Sequence, residues 1–292
     1  MTFINKLSNA LVSRSIKYAI RESGNRFKEL LRLACFWRYQ LSEFSFNKFS
    51  HTKFYYFGLK SHRNAILHML GLDSSHTVLD NIKQRAYVSE IPIPKSICIP
   101  HYVTSMIPLR NRSLDEVLMG FEKSKRKFVN KAASRFLLKQ VTNIKDLARL
   151  NHEMLMPYAS ARHEENVVQL SLEHIMGMAF EYGQLHLLLE NGLEVGCLIG
   201  HESIRRNKRC WLLYREGFPD FIFNDNPNYR EKHIIIIYLQ LEWALRNGFD
   251  YYDMAENPAF ADAGAAHYKR TFGAQLSTTS NYNYFYFRLP KK

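Results

Sequence analysis

The apolar positions of residues 4–22 (Ile4, Leu7, Leu11, Ile16, Ile20) recur at near-helical spacing, with Lys6, Arg14, Lys17 and Arg21 between them. "SGN" at 23–25 breaks the run, and Phe27, Leu30, Leu31 and Ala34 carry a second to about Tyr39. Two basic amphipathic helices are expected, packed on a core or laid on an anionic surface. "FYYFG" (54–58) reads as a strand and "SHRNAILHMLG" (61–71) as a short helix with a Gly end. Residues 87–109 alternate and carry four prolines, which predicts extended edge structure.

From Ser113 the pattern sharpens. Ser113 and Glu116 form a capping-box signature, and the helical period runs from Leu114 to about Arg135. A strand is expected at 136–141, a helix from Asn143 to about Ala159, and another over 170–183. Three strands follow, 184–190, 194–204 and 208–218, joined by "NG" at 191–192 and "RRN" at 205–207. Residues 229–248 read as a buried helix despite "IIII", because their length and closing Asn-Gly outweigh β-branching. A strand at 249–256, a short helix ending at Gly273, and an antiparallel pair made by "AQLSTTS" and "YNYFYFRL" complete the chain. Hairpins first and one late β–α–β crossover predict an α+β fold, a mostly antiparallel sheet flanked by helices, behind an N-terminal helical and extended region. Residues 1–100 and 101–292 are the expected divisions.

Composition narrows the possibilities. The 292 residues are 46% hydrophobic, enough for a sizeable core. No stretch is long and apolar enough for a membrane helix, and the N-terminus has no signal-peptide pattern, so a cytoplasmic protein is expected, with the inner face of the membrane as a peripheral location. The four cysteines show no CxxC pair and read as reduced core thiols, and no His/Cys spacing predicts a metal. Of the net charge of +13, residues 1–140 hold 24 Lys/Arg against 9 Asp/Glu, and the remainder 16 against 18. The basic excess sits entirely in the first half, as for a tRNA-binding or anionic-membrane-binding surface; a solvated basic face is the bland alternative.

Four stretches in order resemble one family. They are the 113–135 helix, "LHLLLENGLEVGCLIGHE", "WALRNGFDYYDMAE" and "HYKRTFGA". Together they look like the GNAT acyltransferase fold and, within it, the Fem-type (FemABX-like) branch. The resemblance implies transfer of an acyl or aminoacyl group to an amine on a small molecule, amino sugar or peptide precursor, in envelope or polysaccharide metabolism. It implies acyl-CoA as donor, or aminoacyl-tRNA, and no metal. The glycine-rich pyrophosphate loop of GNAT acetyltransferases is missing from 217–233, where Arg230, Lys232 and His233 are the candidates to face donor phosphates. A GNAT-like module without catalysis, binding a polyanion through its basic half, is the alternative.

The candidate residues follow from position and chemistry. Lys269, in "HYKRTFGA", would polarise the donor carbonyl or neutralise a phosphate, or simply pair with a helix end. Asp253 and Glu256 end a strand at a crossover and could act as base if burial raises a pKa; Asn257 follows as a positioning residue. Tyr158, Arg162 and His163 cluster after a helix as substrate-binding and base candidates. Tyr214 and Glu216 alternate on one strand, so a regular pleat puts both on one face. His267 is a further candidate.

Overall fold

The computed structural model describes residues 39–45, 52–59, 84–90, 94–100, 102–163, 170–205, 207–258, 264–277 and 284–288. The basic helices expected over 4–22 and 27–39, and the short helix at 61–71, lie outside those residues.

The chain forms two compact units. The first contains residues 105–255 and 267–276, and the second takes the preceding described residues together with the later stretches of tail. The second unit carries a five-stranded sheet built from β1 (Tyr39–Ser45), β2 (Thr52–Leu59), β3 (Gln84–Ser89), β4 (Ile97–Pro100) and β12 (Tyr284–Arg288). Its order is β1-β2-β3-β12-β4, so β12 inserts between β3 and β4. The expected pairing of "AQLSTTS" with "YNYFYFRL" is therefore corrected: β11 (Gln275–Ser277) joins the other sheet, beside β5 (Tyr102–Pro108). Cys98, on β4, is exposed rather than a core thiol; Cys197 and Cys210 are buried.

The first unit is organised around a seven-stranded sheet in the order β11-β5-β10-β9-β8-β7-β6. Here β6 is Phe136–Val141, β7 Gly183–Glu190, β8 Leu193–Arg205, β9 Lys208–Gly217 and β10 Tyr251–Pro258. β6 to β9 pair antiparallel in sequence order. Asn191 and Gly192, both at positive φ (49° and 86°), close the β7–β8 hairpin. The expected long helix from Ser113 forms as two pieces, α1 (Leu114–Met119) and α2 (Lys123–Ala132), broken at Gly120. The capping box at its start is present in both directions, Ser113 to Glu116 and back.

One face of the sheet is covered by α7 (Asn226–Arg246) with α1 and α2. Ile235, Ile236 and Ile237 are fully buried there, each worth about 1.5–3 kcal/mol of transfer free energy, so burial on a 21-residue helix overrides the strand propensity of "IIII". The other face packs on α3 (Ile144–Leu150) and α5 (Leu172–Met176), while α4 (Met156–His163) places Tyr158 in the α7-side core. After α7 the chain enters β10 parallel to β9, a β–α–β crossover; farther along the chain α8 (Gly264–Arg270) is followed by Gly273 at φ 79°, as its position predicted. The short α6 (Asp220–Phe223) precedes α7. This mixed sheet, flanked by helices and crossed once by a helix late in the chain, is the GNAT-like arrangement that the resemblance implied.

Candidate functional site

The β9–β10 contact is short. Tyr251, Tyr252 and Asp253 lie opposite Cys210, Trp211 and Leu212, after which β9 runs on to Gly217 and β10 to Pro258 without pairing each other. Two parallel strands that part in mid-sheet leave backbone donors and acceptors facing a wedge, a place where a polar ligand group can complete them.

A chain of side chains crosses the α7 side of this wedge. Glu216 near the end of β9 accepts from the Tyr158 hydroxyl at 2.9 Å and faces His233 Nε2 at 2.9 Å. His233 Nδ1 lies 2.5 Å from the Tyr268 hydroxyl on α8. Tyr158 and Tyr229 hydroxyls meet at 2.7 Å, and Arg162 Nη1 donates to both, at 2.5 and 2.7 Å. Two i, i+4 pairs build the cluster, Tyr158 with Arg162 on α4 and Tyr229 with His233 on α7, because residues four apart share a helix face.

The approach of α4 depends on a π-type turn over Asn151–Leu155, which joins α3 to α4. That turn presses on β9: a Cβ on Gly217 would lie 2.7 Å from Leu155 N and from the Met154 carbonyl carbon. Only a glycine lets the turn come that close, and the extra residue in the turn rotates α4 to aim Tyr158 at Glu216.

Electrostatics favour an ionised Glu216. Burial works to raise its pKa, but His233, Tyr158 and Arg162 together hold it below the usual carboxylate value. Burial, followed by the neighbouring Tyr229 and Glu216, pushes the Tyr268 hydroxyl well above its ordinary range. Tyr229 is raised to about 12, burial again leading.

The other predicted residues divide. Asp253 is completely buried, with Arg205 Nη2 at 2.7 Å from Oδ2 and the Ala255 N–H donating to Oδ1 at 2.9 Å. Burial raises its pKa against the opposing pull of Arg205. Lys269 Nζ donates to the Ala255 carbonyl at 3.1 Å. Ala255 has φ 66°, a left-handed conformation that costs a non-glycine residue about 1–2 kcal/mol. Asp253 and Lys269 thus hold the amide and the carbonyl of one strained residue at the end of the strand.

Tyr214 and Glu216 do not share a face, which corrects the alternation argument. Opposite Ile199 and Gly200 the β9 register slips, so Tyr214 is an inserted residue. Tyr214 turns to the α3–α5 side, where its hydroxyl meets His174 Nε2 at 2.7 Å, while Glu216 looks toward α7. Lys232 does not accompany Arg230 at the α7 start. It is buried, bonded to Glu190 at 2.7 Å and placed over the Phe136 ring; Arg230 is exposed. His267 is exposed on α8. Glu256 and Asn257 belong to the second unit, the first exposed and the second buried. The side chain of His163 lies outside the described residues. Among the described residues no group of His, Cys, Asp and Glu is arranged to hold a metal, and no helix is long and apolar enough to cross a membrane.

No family model matches the chain, and no curated protein matches it. Among solved structures it is similar to FemX, with 11% identity and a TM-score of 0.48 over 86% of this chain and 84% of that one. It is similar also to L-PGS from Bacillus licheniformis (10%, TM-score 0.47, 86% and 80%) and to a GCN5-related N-acetyltransferase from Sphaerobacter thermophilus (10%, TM-score 0.38, 86% and 76%).

Proposed function

We propose that the first unit catalyses transfer of an acyl or aminoacyl group from a thioester or ester donor to an amino group, and that Tyr268, His233 and Glu216 move the proton. The observation that supports this reading is the row Tyr268–His233–Glu216, with the Tyr268 hydroxyl 2.5 Å from His233 Nδ1 and His233 Nε2 2.9 Å from Glu216 Oε2, beside the parting of β9 and β10. With Glu216 ionised, His233 donates its Nε2–H to the carboxylate and turns its Nδ1 lone pair to the Tyr268 hydroxyl. As the amine nitrogen attacks the donor carbonyl, Tyr268 Oη takes a proton from it and passes its own to His233 Nδ1. The imidazolium so formed is neutralised by Glu216. The C–S or C–O bond then breaks, and the same path returns a proton through Tyr268 to the leaving sulfur or oxygen. Because burial disfavours a free Tyr268 phenolate, the two transfers at this oxygen are coupled. Arg162 and the Tyr158–Tyr229 pair orient Glu216, and Asp253 with Lys269 fixes the backbone at Ala255.

The acceptor in this reading is a small molecule, amino sugar or peptide precursor, and the donor is acyl-CoA or aminoacyl-tRNA. The test supplies each donor in turn with hydroxylamine as a generic amine and follows hydroxamate by mass spectrometry. Tyr268→Phe and Glu216→Gln are expected to slow transfer about 10²–10⁴-fold, the usual worth of positioned acid–base groups. No transfer from either donor, or an undiminished rate in Tyr268→Phe, would refute it.

A further inference from the structure

Outside the wedge, the first unit has a cavity of about 350 Å³ between α1 and α2. Lys123, Arg126, Lys127 and Asn130 line it from α2, Asp115 and Met119 from α1. Lys123, Arg126 and Lys127 form no ion pair among the described residues. Arg126 is nevertheless held in place, donating from Nη1 to the Met119 carbonyl at 3.1 Å and meeting its sulfur at 3.2 Å. A fixed guanidinium and two ammonium groups around a concave space are complementary in charge to an anion.

The α7 start, where a donor's phosphates would be expected, offers less. It has no glycine-rich loop, Asp225 makes no side-chain cap, and Lys232 is committed to Glu190. α2, by contrast, reaches the relay: Lys125 on its opposite face lies 5.5 Å from the Tyr268 ring centroid.

We infer that the α1–α2 cavity binds the phosphate groups of a small phosphate ester, most simply a diphosphate, carried by one of the two substrates. Lys123 and Lys127 stand one turn apart, about 6 Å along the axis, a span suited to two adjacent phosphates. The volume of this open depression lies in the range of small-molecule pockets rather than of an extended nucleic-acid track, and Asp115 can accept from a hydroxyl or amine on the same ligand. The term "substrate" rests on the transferase reading; the site itself does not.

The test therefore measures binding without turnover. Inorganic pyrophosphate, a nucleoside diphosphate and a 20-nucleotide single-stranded RNA are titrated calorimetrically into the full chain. The same titrations are run on Lys123→Gln/Lys127→Gln and on Lys139→Gln/Lys145→Gln, which removes equal charge at exposed lysines elsewhere in the unit. Pyrophosphate and nucleoside diphosphate should bind competitively at one site, and only the first double variant should weaken both, by about tenfold or more for loss of two charge-assisted contacts. Equal weakening in both double variants, absence of pyrophosphate binding, or a marked preference for RNA would each overturn the proposal. Loss of transfer in Tyr268→Phe with binding intact would separate the relay from this site.

Discussion

His186 sets a limit on acid stability. It is buried on β7 with Nδ1 2.7 Å from Gln240 Nε2, while Gln240 Oε1 accepts the Trp211 indole N–H at 2.7 Å. The indole fixes the amide orientation, so Gln240 donates to Nδ1 and the imidazole is neutral. Protonating Nδ1 would turn two donors on each other. Burial accordingly lowers the His186 pKa from 6.5 to about 4. The folded-state pKa is the depressed one, so the stabilisation is complete above pH 6.5 and is lost as pH falls toward 4. At about 1.4 kcal/mol per pH unit, that gap corresponds to about 3 kcal/mol. Urea titrations followed by tryptophan fluorescence at pH 7 and pH 4, on the natural chain and on His186→Asn, isolate it. Asparagine keeps an acceptor for Gln240 but does not titrate, so acid sensitivities shared with Glu216 and other carboxylates cancel. The natural chain should lose about 3 kcal/mol more than the variant between the two pH values. Parallel losses, within 1 kcal/mol or so, would refute the neutral buried imidazole.

Three further outcomes are expected. Arg205→Met, which strips Asp253 of its buried cation, should cost about 3–5 kcal/mol in a denaturant titration, and Arg205→Met/Asp253→Leu should recover a good part of it; a double variant no better than the single would count against a buried ion pair. Gly217→Ala should cost about 1–3 kcal/mol and also slow transfer, because a methyl group there pushes the Asn151–Leu155 turn, and Tyr158 with it, away from Glu216; an unchanged melting temperature would sink this. Ser113→Ala should lower stability by about 1 kcal/mol through loss of the capping box and leave transfer alone, read by thermal melt and by the hydroxamate assay.

The local elements could be read from sequence because local rules determine them. The Asn191-Gly192 turn, the Ser113 box and the stop at Gly273 depend on a few neighbouring residues. The pairing of β12 between β3 and β4 joins positions nearly two hundred residues apart, which no pattern along the chain encodes. The site was half visible. Tyr158, Arg162 and Glu216 were expected near chemistry and meet in one network. Tyr229, as part of that network, was missed, although Tyr229 and His233 repeat the i, i+4 spacing of Tyr158 and Arg162; beside "IIII" the spacing reads as one more core stripe. His233 was expected to face phosphates and instead holds Glu216 and Tyr268. In "HYKRTFGA" the charge pattern singles out the cation, Lys269, whereas the tyrosine before it contacts the imidazole.

The inserted residue on β9 also bears on how such a strand can change over generations. Substitutions alter what Tyr214 or Glu216 is; only a change in strand length alters which side of the sheet each one serves. Deleting Tyr214 would set Leu213 and Arg215 next to each other opposite Gly200 and Ile199 and restore the regular alternation, in one genetic step that no series of point replacements reproduces. The division of labour between the two faces of this sheet is thus inherited as a count of residues.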